Sequence, residues 1–291
     1  MPVRLLVVYK KSQLSLYEEH EPAALARLRV DEPDIYAKYV EAHEQNAQAI
    51  ELVEEALATR TAVEATLAYR ADVEPTAGYD LVVSVGGDGT LLDVSHSVLD
   101  VPLLGVNSSP GLSVGNFCVC GPDAFGRALD AWCAGTLPAV PLTRLQVRIN
   151  DVLCPTPVLN ELLYAHTVPA AMSRYVLTAE GQSEDHKSSG VWIASAAGST
   201  AAIRSAGGTP MAPSDTRLQF KVREPYLPPG TVRGLLSGIV EPPITLLAKT
   251  RTSAIYLDGY REQLELRVGD VVVIDRHPSP LKLVGFRCPV P

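Results

Sequence analysis

Residues 81–92 read LVVSVGGDGTLL, and this stretch restricts the fold more than any other. Tyr79 to Val85 is an apolar run of strand length, and Leu91 to Leu99 fits a helix. Three glycines and one aspartate join them. A buried strand that turns through glycines into a helix is the building unit of a parallel sheet with helical crossovers. The neighbouring segments agree. Val3 to Tyr9 reads as a first strand, Asp34 to about Ala58 as a long helix and Val63 to Tyr69 as a second strand. Pro75 and Gly78 mark a turn, and Val101 to Val106 is a fourth strand. The expectation is an N-terminal α/β domain with a parallel sheet over residues 1–120.

After about residue 140 the texture changes. Short β-rich runs dominate, among them Leu142 to Ile149, Pro157 to Tyr164, Arg174 to Thr178, Val191 to Ser195, Leu218 to Val222, Ile244 to Lys249 and Ala254 to Leu257. Turn signals such as Asn150-Asp151, Glu180-Gly181 and Asp258-Gly259 separate them. The expectation is a β-rich, sandwich-like, antiparallel domain over residues 121–275 with one embedded helix. A length of 291 residues suits two domains. Such a chain buries roughly 75% of its unfolded surface, so neither disulfides nor a metal is needed to hold it.

The net charge is 25 − 33 = −8, which argues against non-specific binding to nucleic acid or acidic lipid. No apolar run is long enough for a transmembrane helix, and the N-terminal strand is too short for a signal-peptide core. The five cysteines, Cys118, Cys120, Cys133, Cys154 and Cys288, are odd in number and lack a C-x-x-C pair. That argues against a disulfide framework or a zinc site, and points to a cytoplasmic protein with reduced thiols. Cys118-Val119-Cys120 reads as strand with both thiols on one face.

The glycine turn carries chemistry. Gly86, Gly87 and Gly89, with Thr90, let backbone N–H groups approach phosphate oxygens at a helix N-terminus. No G-K-[ST] follows, so this is not a P-loop, and the glycine spacing is not that of a dinucleotide fingerprint. Asp88 is the distinctive residue. A carboxylate beside polyphosphate either holds the bridging metal or accepts a proton from an attacking hydroxyl, and both point to phosphoryl transfer. The alternative is an Asp-Gly turn whose side chain caps the helix. No metal ligand set is assigned from the sequence.

Gly86-Gly87-Asp88-Gly89-Thr90 resembles the signature shared by NAD kinases, diacylglycerol-type lipid kinases and 6-phosphofructokinases. Leu104-Gly105-Val106-Asn107, Leu159-Asn160-Glu161, the Gly198-Ser199-Thr200-Ala201 and Ser205-Ala206-Gly207-Gly208 block, and Asp258-Gly259 with Gly269-Asp270 resemble further NAD kinase motifs in register. Asn107-x-x-Pro110 running to Phe117-Cys118, with Lys187-Ser188-Ser189-Gly190 and Arg223-Glu224-Pro225, is similar to the mitochondrial-type branch. Ser189, Ala197 and Ala202 depart from the common pattern.

The resemblance implies ATP as phosphate donor, Mg²⁺ or another divalent metal, and NAD or NADH as acceptor at the adenosine ribose 2′-hydroxyl. It implies Asp88 as general base, and Asn160, Glu161, Ser199, Thr200, Ala201 and Ser205 as NAD-binding residues. It also implies that residues 276–291 return to the first domain, a site in the cleft between the domains, and a homodimer or higher homo-oligomer. Two other classes share parts of the pattern: a lipid or other small-molecule kinase with the same loop, and a non-catalytic nucleotide-binding homologue. From the residues alone, Ser199 and Thr200 read as a hydroxyl-capped helix start, where capping and ligand contact are equal alternatives. Lys10 and Lys11 close the first strand, where ligands of open α/β sheets bind. One of them meets nucleotide phosphate, or both are solvated surface lysines.

Overall fold

A computed structural model describes residues 2–72, 76–230, 232–260 and 262–286. Pro75 and Cys288, named above, lie outside them. The chain forms two compact units, Met1–Val140 with Lys282–Pro291, and Pro141–Leu281. The first unit therefore takes in residues 121–140, which the sequence reading gave to the second domain.

The first unit begins with β1 (Val3–Tyr9), followed by three helices, α1 (Gln13–His20), α2 (Pro22–Asp31) and α3 (Pro33–Ala58), and by β2 (Val63–Tyr69). Pro22 and Pro33 stand at helix N-termini, where the missing N–H costs nothing. Sequence reading placed only α3, because α1 and α2 are largely exposed and carry no apolar face. β3 (Leu81–Gly86), α4 (Asp88–Ser97), β4 (Leu103–Asn107), α5 (Phe125–Cys133) and β5 (Ala139–Leu142) follow. A final strand, Leu281–Val284, completes a six-stranded sheet by entering between β4 and β5. The order is β2-β1-β3-β4-final strand-β5, and the pairs from β2 to the final strand are parallel. Every residue of β3 is buried, which suits a strand covered on both faces. On one face Leu5, Val7, Val83, Val85, Leu104 and Val106 pack with Ala49 and Val53 of α3 and Phe125 and Leu129 of α5. The segment Cys118–Cys120 is not a strand: only an isolated bridge joins Cys120 to Val106.

The second unit holds β6 (Leu145–Ile149), β7 (Val152–Leu153), β8 (Glu161–His166), β9 (Ser173–Ala179), β10 (Gln182–Ser188), β11 (Gly190–Ala194), the four-residue helix α6 (Ala202–Ser205), β12 (Leu218–Arg223), β13 (Ser237–Val240), β14 (Ile244–Ala248), β15 (Ser253–Leu257), β16 (Glu262–Leu266) and β17 (Val271–Arg276). They form two six-stranded sheets, β10-β9-β14-β17-β6-β7 and β13-β12-β11-β8-β15-β16. Inward residues of both, such as Tyr175, Leu177, Leu246 and Ile274 from one and Leu162, Tyr164, Ile193, Phe220 and Ile255 from the other, share one core. This is a β-sandwich. No described helix is long and apolar enough to cross a membrane.

Candidate functional site

In the first unit the glycines of the β3–α4 turn have separate tasks. A Cβ on Gly86 would stand 2.3 Å from the Thr90 hydroxyl, and one on Gly87 2.7 Å from that of Ser113. These two glycines admit close packing. A Cβ on Gly89 would meet nothing within 4 Å, so this is the glycine that opens on free space. Gly87 is the extended N-cap residue, and its carbonyl accepts the N–H groups of Thr90 and Leu91. Thr90 is buried beneath the turn.

Asp88 is the first helical residue, after Gly87 as N-cap, and its side-chain hydrogen bonds go to Asn116 and Phe117 rather than to the N–H groups of its own helix. Its carboxylate instead faces the loop after β4: Oδ1 accepts the Phe117 N–H at 2.9 Å and Oδ2 the Asn116 N–H at 3.0 Å. That loop is anchored in turn by Asn107, buried at the end of β4. Asn107 Nδ2 donates to the Ser113 carbonyl at 2.9 Å, and its Oδ1 accepts the Ser109 N–H at 3.1 Å. Gly115 turns there at φ +63°, where a Cβ would stand 2.5 Å from Asn107 Nδ2. Behind Asp88, burial first and then the nearby Asp88 and Cys120 push the Cys118 thiol up to about 12, so it is no nucleophile.

In the second unit Asn160 lies in a bend and Glu161 opens β8. The strict alternation of a strand does not apply across this corner. Asp258, at φ +47° after β15, gathers the N–H groups of Leu159, Asn160 and Glu161 on its carboxylate at 2.8, 2.7 and 3.1 Å. Opposite, the Gly198 backbone presses on the corner so closely that a Cβ would lie 2.0 Å from the Asn160 carbonyl oxygen. Asn160 and Glu161 are only 7% and 6% exposed, yet Asn160 Oδ1 and Glu161 Oε2 have no hydrogen-bond partner. Burial, then the like charge of Asp258, push the Glu161 carboxyl up to about 8, while the Ala202 N–H pulls the other way. Two desolvated acceptors without donors are costly unless a ligand supplies the donors.

The segment Ala197–Thr200 is a 3₁₀ turn leading into α6, and no side chain caps either element. The expected hydroxyl-capped helix start is thus not formed. Ser199 is fully buried; its hydroxyl donates to the Ala196 carbonyl at 2.7 Å and accepts the Met211 N–H at 2.8 Å. Thr200 and Ser205 are exposed and Ala201 is half-buried. Gln219 holds the end of the block, exchanging hydrogen bonds with the Thr209 N–H at 2.7 Å and carbonyl at 2.6 Å. Sequence reasoning missed Asn116, Gln219 and the supporting tasks of Asn107 and Asp258. A backbone-pinning carboxylate or amide leaves no local pattern when its partners are some 100 residues away, as Asp258 and Asn160 are (|i−j| 98).

Residues 25–136 match the family model of the ATP-NAD kinase N-terminal domain. The chain is 34% identical over 229 residues to the probable NADH kinase of Oryza sativa subsp. japonica, covering 70% of each protein. It is 31% identical over 229 residues to the NADH kinase of Arabidopsis thaliana, covering 67% of this chain and 69% of that protein. Among solved structures, an NAD kinase from Archaeoglobus fulgidus in complex with ATP aligns with a TM-score of 0.69 at 22% identity, covering 98% of this chain and 94% of its own. Yeast NADH kinase complexed with NADH gives 0.68 at 18%, covering 98% and 84%; these two likenesses speak for the fold. With a relative 34% identical over 70% of both sequences, this chain belongs to the NAD kinase family.

Proposed function

We propose that this protein transfers the γ-phosphate of ATP to the 2′-hydroxyl of the adenosine ribose of NAD or NADH, giving NADP or NADPH and leaving ADP. The observation that carries the reading is Asp88. Its carboxylate is fixed by two backbone N–H groups, one on each oxygen, in the same turn as the open face of Gly89. Oδ2 also accepts the Asn116 side-chain amide at 3.4 Å, whereas Oδ1 has one partner and retains capacity for the proton of an attacking hydroxyl. A ribose hydroxyl is a poor nucleophile at neutral pH, and a positioned base raises its reactivity. The glycine turn, with the free N–H groups of the first turn of α4, receives donor phosphate oxygens.

Asn160 and Glu161 supply the two buried, partnerless acceptors, and we assign them to the hydroxyl and amine donors of the dinucleotide. Thr200, Ala201 and Ser205 are assigned to its surface contacts. Ser199, with its hydroxyl bonded on both sides, is assigned to support of the turn. Among the described residues no three His, Cys, Asp or Glu side chains form a metal-binding group. That fits Mg²⁺, which binds through substrate phosphates and one or two carboxylates rather than a protein cage. Bound through the donor phosphates, the ion would neutralise charge on the transferring phosphate, and Asp88 stays the proton acceptor. A cytoplasmic setting and a homo-oligomer belong to the same proposal.

The test is direct. The purified protein is incubated with ATP and Mg²⁺, with and without NAD or NADH, and NADP(H) is assayed with an NADP-specific dehydrogenase. Product that requires both ATP and the dinucleotide supports the reading. ATP hydrolysis without NADP(H) overturns it. Substituting polyphosphate for ATP defines the donor.

A further inference from the structure

Two lysines end β1, and the structure treats them differently. Lys11 is neutralised: its ammonium lies 2.8 Å from both carboxylate oxygens of Glu19 on α1. Lys10 has no such partner. Its backbone carbonyl is held by Asn46 of α3 at 3.0 Å, which fixes where its side chain starts. Among the described residues no carboxylate pairs with its ammonium. The charge that does act on it is Arg70, a second cation, at the end of β2.

The parallel register places Lys10. Tyr9 is level with Val85 of β3 and with Tyr69 of β2, so the next residue along, Lys10, is level with Gly86 and Arg70. It therefore stands at the carboxyl ends of the strands beside the glycine turn. Arg70 is turned to the opposite partner, Asp93 of α4, at 3.0 Å. A half-buried ammonium crowded by a guanidinium is unfavourable. Desolvation first, and Arg70 second, hold its pKa below the ordinary lysine value. An anion at the end of β1 would offset both effects.

We infer that Lys10 binds the polyphosphate of the donor nucleotide, completing on the β1 side the anion site that the Gly86–Thr90 turn forms on the β3 side. The inference rests on the kinase reading above and names a residue of its donor site. Lys11, neutralised by Glu19, has no part in it. An ammonium meets phosphate as a point charge, so charge and reach both matter.

The experiment compares Lys10→Met, Lys10→Arg and Lys11→Met with the parent protein, each checked for a native thermal transition. The Michaelis constants for ATP and NAD are measured separately. Equilibrium binding of Mg²⁺-tripolyphosphate is measured by calorimetry, a readout that does not need turnover. Lys10→Met is expected to raise the ATP KM and weaken tripolyphosphate binding about tenfold or more, the scale of a lost charge-assisted contact, with the NAD KM unchanged. Lys10→Arg should recover part of the loss, and Lys11→Met should match the parent. A folded Lys10→Met protein whose tripolyphosphate affinity and ATP KM stay within about twofold of the parent overturns the assignment. Equal losses in Lys11→Met would overturn it too, since that pattern reports general surface charge. If the parent phosphorylates no dinucleotide, the kinase reading fails, while tripolyphosphate binding still decides on Lys10.

Discussion

Asp88 and Gly89 are adjacent, and their surroundings separate chemistry from stability. Asp88→Asn keeps the shape and removes the charge and the proton acceptor. We expect kcat to fall about 10²–10⁴-fold with NAD binding kept, the usual contribution of a positioned base. A kcat within about threefold of the parent would leave Asp88 only as a brace for the Asn116–Phe117 backbone. Gly89→Ala is the complementary change. The added methyl meets nothing within 4 Å and improves helix propensity, so stability should hold or rise by up to about 1 kcal/mol. If phosphate approaches that face, the ATP KM rises nonetheless. Unaltered ATP kinetics would mean that no ligand comes near Gly89. Glu161 gives a pH signature. Its carboxyl stands at about 8 in the folded protein against an ordinary 4.5. Between those values the folded protein keeps a proton that the unfolded chain has released. This contribution to stability is fully present below about pH 4.5 and is lost as pH rises through about 8. Urea midpoints measured between about pH 5.5 and about pH 8.5 should fall, and Glu161→Gln should flatten that part of the slope. Identical slopes in both proteins would show that Glu161 does not carry it. Asp88, Asn160 and Glu161 were legible in the sequence as candidates only, because their motifs stand in register. That Glu161 is buried with an unmet oxygen was not, since it depends on Asp258 and Ala202 being folded against it.

The loop from Asn107 to Phe117 is the element that converts a strand end into a positioned carboxylate. It has no strand or helix of its own; backbone turns such as the Ser113 N–H on the Ser109 carbonyl shape it locally, and one buried amide bonds across it at 2.9 and 3.1 Å. Asn107→Ala removes both bonds and leaves the Ser113 carbonyl and the Ser109 N–H without their partner, at a cost of about 1–3 kcal/mol. The consequence for function is indirect, because Asn107 positions the loop whose N–H groups hold Asp88. We expect kcat to fall with little change in either KM, and amide exchange to speed up across residues 108–117. Unchanged exchange there would show that the loop is held by other contacts. Elements with an apolar period were readable: β1 and β2 fall where Val3 to Tyr9 and Val63 to Tyr69 were expected. β10, sequence QSEDHKS, was not. It is an edge strand, and its polar composition is what keeps such an edge soluble. The helix after the glycine turn begins at Asp88 rather than Leu91, because its first turn carries the site residues instead of core residues.

At the level of the whole chain, the change of texture near residue 140 was visible as a switch from long periods to short β runs. The return of the chain end was implied only by resemblance, since Leu281–Val284 looks like any other short apolar strand. Its position has a thermodynamic consequence. Leu281, Leu283 and Val284 are fully buried, and the strand lies between β4 and β5. At roughly 1.5–3 kcal/mol for each buried side chain, the strand contributes a large share of the 5–15 kcal/mol by which a domain is stable. The second unit has no such dependence. Its core residues run from Leu145 to Ile274, and all strands of its two sheets lie within residues 145–276. A fragment of residues 141–280 should therefore unfold cooperatively in urea, with the circular dichroism of a β-sandwich. A fragment of residues 1–142, which keeps β5 whole, should lack a cooperative transition, because β5 has lost its neighbour and β4 one side of its pairing. Joining residues 281–291 to residue 142 through a flexible linker should restore it, since the strand pairs in the sheet wherever the covalent connection runs. If residues 1–142 alone unfold with the same midpoint as the linked form, the final strand is an accessory to a sheet that closes without it.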